Sequence, residues 1–298
     1  MSPAGEGGRA QQGQGVLPGM PQRLFSCTPT KLAAFEDCPR RYRFSYLDRP
    51  SPPRGPAFAH TSVGAAVHNA LARWWDEPLA RRTPERAAEL VAGAWTPWTT
   101  AGFRDAAQSE EHRRRSQEAV AAYAERLDPT AEPVGVERTV AAPTQRLAFS
   151  GRVDRIDRRP REDGDGDEPV VVDYKLGRRV PDDDDARSSM ALGLYAVAVS
   201  RTLRARCRRV ELHHVPTGAV AVAEHTDASL ERVVRRAESI ASDAVRAQAA
   251  LDAGTDRDEA FPATPSALCA WCDFRPSCPT GQRSAPAKET WAALEPLG

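Results

Sequence analysis

Residues 170–175 read Val-Val-Val-Asp-Tyr-Lys, and no other stretch restricts the possible folds of this chain as strongly. Three consecutive β-branched residues favour a strand, whose two-residue period puts Val171, Asp173 and Lys175 on one face and Val170, Val172 and Tyr174 on the other. A strand apolar on both faces must be covered on both, so it belongs inside a sheet with other structure packed above and below. Charge then arrives abruptly at its end. A carboxylate and an ammonium leave the strand together, as at the rim of a cleft.

The surrounding sequence predicts the layers. Residues 1–24 are Gly, Gln, Pro and Ala with almost no large apolar side chains and predict a disordered tail. Thr28 and Pro29 supply a cap and a first-turn proline for a helix carrying Leu32, Phe35 and Tyr42, which contains or closely precedes Cys38-Pro39. After a proline-rich linker over 50–56, Thr61 or Ser62 caps a helix with the stripe Val63, Val67, Leu71 and Trp74, and His68 lies beside that stripe. Residues 84–127 predict two further helices separated by Pro97 and Gly102. The period then changes, with strands predicted at 134–140, 146–150, 152–156 and 170–174, the last two split by an acidic Gly-Asp loop near 163–167. A helix over 186–201, strands at 210–215 and 219–223, and a long helix over 227–250 complete the reading. This order predicts an α/β fold with a mixed central sheet flanked by helices, and no internal repeat is visible.

Composition limits what the chain can be. With 298 residues and a hydrophobic fraction of 41%, it can bury a real core. No apolar run approaches the roughly 18–20 residues that cross a bilayer, and the first residues lack a secretory pattern, so the expectation is a cytoplasmic protein with no membrane partner. Basic and acidic residues balance at 41 each, so a nucleic-acid partner cannot be argued from net charge. It would need local segregation of charge, for which Arg40, Arg41 and Arg43, the run Arg113 to Arg115, and residues 201–209 are candidates. Only Lys31, Lys175 and Lys288 are lysine among all the basic residues, which singles out Lys175. A compact ammonium can sit against one oxygen where a guanidinium fork cannot.

About twenty residues before Asp173 stands Gly151-Arg152-Val153-Asp154-Arg155-Ile156-Asp157, also strand-like. A neighbouring strand would bring Asp154 beside Asp173. Two carboxylates around an open position suit Mg²⁺ that also binds phosphate oxygens and water, and a lysine there can orient water or balance charge on a phosphate. The competing reading of the same residues is an ion pair at a sheet edge and a turn aspartate.

The sequences Gly151 to Asp157 and Val172 to Gly177 resemble the PD-(D/E)xK nucleases, specifically the RecB-type exonuclease branch. The resemblance implies a restriction-endonuclease-like sheet, Mg²⁺ or Mn²⁺ held by Asp154 and Asp173, and a catalytic Lys175. It also implies a third metal ligand on an earlier helix, which here is His68 in Val63-Gly64-Ala65-Ala66-Val67-His68. Glu137 falls where related sequences often carry a glutamate. One position departs from the pattern: the usual Gln-x-x-x-Tyr helix keeps Tyr195 but has Ala191 in place of the glutamine. The implied activity is cleavage of DNA, single-stranded or at ends, in repair or recombination. A separate helicase would supply any unwinding, because no Gly-x-x-x-x-Gly-Lys-Ser/Thr loop is present. The alternative expectation is a nuclease-derived DNA-binding module without activity.

Three of six cysteines crowd into Cys269-x2-Cys272-x5-Cys278, a metal-binding pattern that needs a fourth thiolate. Cys38 is the first candidate, then Cys27, then Cys207. Spacing alone leaves structural zinc level with an iron-sulfur cluster, and a zinc-stabilised interaction domain is a third reading of the chain. The resemblance extends to AddB-like nucleases, in which one N-terminal and three C-terminal cysteines hold a 4Fe-4S cluster, implying Cys38, Cys269, Cys272 and Cys278 here and a staple between chain ends. The expected organisation is a nuclease domain over 25–282, with a helical insertion at about 76–130 and a cysteine-rich segment at 265–282, followed by a tail over 283–298.

Overall fold

The computed structural model describes residues 24–96, 101–161, 164 and 166–294. The tail predicted over 1–24 lies outside the described residues except for Leu24, as do Pro97 and part of the acidic loop.

The chain starts with a short strand, β1 (Phe25–Cys27), which the sequence pattern did not reveal, and continues into α1 (Pro29–Asp37) and α2 (Pro39–Tyr46). Thr28 caps α1 by accepting the Lys31 N–H at 3.1 Å. A proline disfavours helical backbone in the residue before it, so Cys38 is extended, with φ −166°. The predicted first helix is therefore two, with Cys38 at the corner. α3 (Ala59–Asp76) begins at Phe58 rather than at Thr61 or Ser62, which fall inside its first turn. α4 (Pro84–Ala94) and α5 (Ala106–Ala124) pack with it.

The strands β2 (Gly135–Pro143), β3 (Leu147–Pro160) and β4 (Asp167–Lys175) follow. β3 runs unbroken through Gly151, where two strands were predicted. A Cβ at Gly151 would lie 2.4 Å from Cε1 of Tyr195, so the glycine is a packing requirement and not a strand break. The predicted helix over 186–201 divides at Ser189 into α6 (Asp183–Ser188), with Asp182 and Asp185 forming a capping box, and α7 (Met190–Leu203), capped by Ser189 itself. β5 (Arg209–His214), β6 (Ala219–Glu224), the long α8 (Asp227–Asp252), and the short α9 (Arg257–Ala260) and α10 (Pro279–Ser284) complete the described chain.

The sheet runs β1-β3-β4-β5-β6, with β2 on the other edge of β3. β4 is antiparallel to β3 and parallel to β5, so the sheet is mixed and β4 is interior. Val170, Val171 and Val172 are all fully buried, each contributing about 2 kcal/mol by leaving water. Val171 enters one core with Leu192 and Leu194 of α7 and Ile240 of α8. Val170, Val172 and Tyr174 enter a second with Val67 and Trp74 of α3, Val91 of α4 and Val120 of α5. The two-residue period predicted from the sequence is thus the one that sorts β4 between two cores. No described helix is long and apolar enough to cross a membrane.

Candidate active site

The β3–β4 ladder parts just where the charged residues begin. Its last pair toward the C-terminal end of β4 is Arg155 with Val172, so one further step brings Asp154 level with Asp173. There the side chain replaces the strand: Asp154 Oδ2 accepts the Tyr174 N–H at 2.9 Å. Strand separation opens a gap, and a carboxylate fills the backbone's hydrogen-bonding need while its other oxygen faces His68.

Into that gap points His68 from α3. Its Nδ1 lies 3.3 Å from Asp154 Oδ1, and burial, which disfavours the imidazolium, is outweighed by Asp154 and the nearby carboxylates, so its pKa is raised. Glu137 joins from β2 through a left-handed backbone, φ 46°, unusual for a non-glycine residue in a strand. The donor atoms of His68, Glu137 and Asp154 lie within 4.8 Å of one another. Arg152 holds Glu137 Oε2 at 2.7 Å, but burial still raises the Glu137 pKa.

Asp173 lies beside this group. Burial raises its pKa, aided by Asp154 and opposed by Lys175. Its Oδ2 is paired with Lys175 Nζ at 2.5 Å, the ion pair that the competing reading of these residues expected. Lys175 itself is half exposed and reaches solvent. One imidazole and two carboxylates, those of His68, Glu137 and Asp154, form a donor set that could hold a divalent cation, and Asp173 lies beside that group rather than within it. The four residues singled out from the sequence, His68, Asp154, Asp173 and Lys175, are therefore neighbours, and Glu137 is a fifth.

The sequence reading passed over what lies beneath. Arg155, 1% exposed, sits under the gap among Tyr174, Tyr123 and Trp75. A charged residue on the inward face of a strand was the available signal. Tyr195 of α7 covers Gly151 from the other core and feels the charges of Asp173 and Asp154. Ala191, a turn earlier, is half-buried and offers no polar group.

The predicted cysteine ligands also gather. Cys38, Cys269, Cys272 and Cys278 line one cavity of about 180 Å³, with Arg40 and Arg41 at its wall. Two sulfurs already accept backbone N–H groups, Cys38 from Thr264 and Cys278 from Gly281, each at 3.4 Å. Among the described residues, no three of these sulfurs lie within 4.8 Å of one another. Cys27 and Cys207 are buried elsewhere, in the core shared by α7 and α8.

Compared with known proteins, residues 26–279 match the sequence profile of the PD-(D/E)XK nuclease superfamily. No curated protein matches the chain.

Proposed function

The chain belongs to the PD-(D/E)XK nuclease superfamily, and on that footing we propose that it is a Mg²⁺- or Mn²⁺-dependent DNA nuclease of the RecB exonuclease type, acting in repair or recombination. The observation that carries this reading is the convergence of the His68, Glu137 and Asp154 donor atoms within 4.8 Å of one another, with the buried Asp173 and its Lys175 partner beside them. Two carboxylates and an imidazole held that close together suit a divalent cation.

His68, Asp154 and Asp173 hold the cation, with Glu137 as an added oxygen ligand. When bound, it supplies positive charge against the phosphate oxygens and lowers the pKa of water. Lys175 orients the attacking water and balances charge that builds on the phosphate as the bond breaks. Asp154 divides its two oxygens between the site and the Tyr174 N–H, which fixes its orientation. The half-exposed Lys175 can reach substrate because β4 ends at that point.

A groove of about 640 Å³ supports a single-stranded substrate. It starts at Leu176 and Gly177, directly after Lys175, and passes His60, Val63, His112 and Arg115, with no Asp or Glu among its described lining residues. Arg115 there is paired with Glu111 and burial lowers the pKa of His60 and His112, so shape and apolar surface, not charge, recommend the groove. The largely apolar walls suit bases that are not already paired.

At the other end, a 4Fe-4S cluster on Cys38, Cys269, Cys272 and Cys278 fits the cavity. Tetrahedral zinc, with Zn–S near 2.3 Å, would draw the sulfurs closer than they stand. Its role is to join the two ends of the chain, so that binding energy becomes folding energy.

The test is digestion of end-labelled single- and double-stranded DNA with Mg²⁺ or with EDTA. Degradation that EDTA stops, faster on single strands, is expected. Salt-sensitive binding without turnover would instead identify a DNA-binding module, the reading that Ala191 favours.

A further inference from the structure

Four of the five residues of the candidate site stand on α3, β3 and β4, and those three elements also meet at one buried atom, on the face of the sheet away from Asp173 and Lys175. The Tyr174 hydroxyl lies between Asp173 and Lys175 in sequence but points away from them, into the core beneath α3. It accepts Arg155 Nη1 at 3.0 Å and Trp75 Nε1 at 3.4 Å. Trp75 is on α3, which carries His68. Arg155 is on β3, next to Asp154. Tyr174 is on β4 and flanked by Asp173 and Lys175.

The hub is itself fixed from below. Arg155 is fully buried and its Nε lies 2.9 Å from Asp157 Oδ1, whose other oxygen takes Arg159 at 2.8 Å. Arg155 Nη1 also reaches Tyr123 at 3.4 Å. The Tyr123 hydroxyl lies 2.7 Å from His213 Nδ1, and His213 Nε2 lies 2.8 Å from Glu211. The guanidinium faces the Trp75 ring at 5.1 Å. A network with this many fixed partners has few alternative geometries.

We propose that Tyr174, through its hydroxyl, is a positioning residue: it locks α3, β3 and β4 in the register that brings His68, Asp154 and Asp173 within range of one cation. This rests on the nuclease reading above. The hydroxyl touches neither cation nor substrate. It sets the geometry of groups that do, as outer partners of metal ligands do elsewhere.

The test is Tyr174→Phe, which keeps the ring and its packing and removes only the acceptor. Mn²⁺ affinity of the full chain, read by electron paramagnetic resonance, is expected to weaken by about ten- to a hundred-fold, with kcat lowered and KM for DNA unchanged. Tyr123→Phe, which breaks the network outside the three elements, is expected to leave Mn²⁺ affinity as it is. Wild-type Mn²⁺ affinity in folded Tyr174→Phe overturns the proposal. If that variant does not fold, Trp75→Phe decides in the same way, since it removes the other donor from α3. A wild-type protein that cleaves DNA with Mn²⁺ while Tyr174→Phe matches it counts against the positioning role alone. A wild-type protein that neither binds Mn²⁺ nor cleaves DNA overturns the nuclease reading and the positioning role with it.

Discussion

Asp154 accepts the backbone N–H of Tyr174 at 2.9 Å, with its own side chain in the place of a strand carbonyl. One hydrogen bond thereby joins the two carboxylate-bearing strands at the point where their ladder separates. It also gives Asp154 two duties, one structural and one chemical.

Substitutions at Asp154 should separate those duties. Asp154→Ala leaves the Tyr174 N–H without its partner and is expected to cost about 1–3 kcal/mol. Asp154→Asn retains an acceptor and is expected to cost clearly less, yet to lose cleavage as completely. Urea unfolding of both variants beside a nuclease assay checks this. Equal stability of the two variants would contradict the structural duty.

Gly151→Ala should disturb the same region from the other core. The added Cβ meets the Tyr195 ring at 2.4 Å, so the ring or β3 must move. A loss of about 1–3 kcal/mol is expected, as for overpacking elsewhere. Adding Tyr195→Leu should recover part of it, which thermal melting of the single and double variants measures.

Acid should weaken the fold through Glu211. Burial alone would raise its pKa, but His213, Arg159 and Arg209 outweigh burial and hold it at about 2, below the ordinary 4.5. The folded state therefore binds this proton less readily than the unfolded chain. The resulting stabilisation, about 3 kcal/mol, is present in full above pH 4.5 and is lost as pH falls toward 2. Denaturant midpoints between pH 6 and 3 should fall more steeply for wild type than for Glu211→Gln, which should already be less stable at pH 7.

Much of this architecture was legible in local patterns. The valine run predicted a strand covered on both faces, and the period of two assigned Val171 and Tyr174 to their separate cores. What local patterns could not give depended on contacts far apart in sequence. Gly151 reads as a break until Tyr195 is known to rest on it, and β1 is too short to show a period. The break at Cys38 is the exception: Pro39 beside it is a local signal, and it ends the helix there. At the candidate site, the carboxylates and lysine were nameable one by one, but the left-handed backbone that turns Glu137 inward was not. Nor was the convergence of Trp75, Arg155 and Tyr174, which come from three segments far apart in sequence.

Loss of the cysteine-bound group should unfasten the ends of the chain. Anaerobically purified protein is expected to contain iron and acid-labile sulfide, and Cys38→Ala to lose both and melt at a lower temperature. Colourless wild-type protein with one equivalent of zinc would contradict the cluster.

The most direct measurement is turnover of end-labelled single-stranded DNA by wild type and by Asp173→Ala, each at saturating Mg²⁺ and each shown to be folded by its melting curve. The account predicts cleavage by the wild type and none by the variant, because the buried Asp173 oxygen has lost its place in the cation site. Equal cleavage by the two proteins would contradict it.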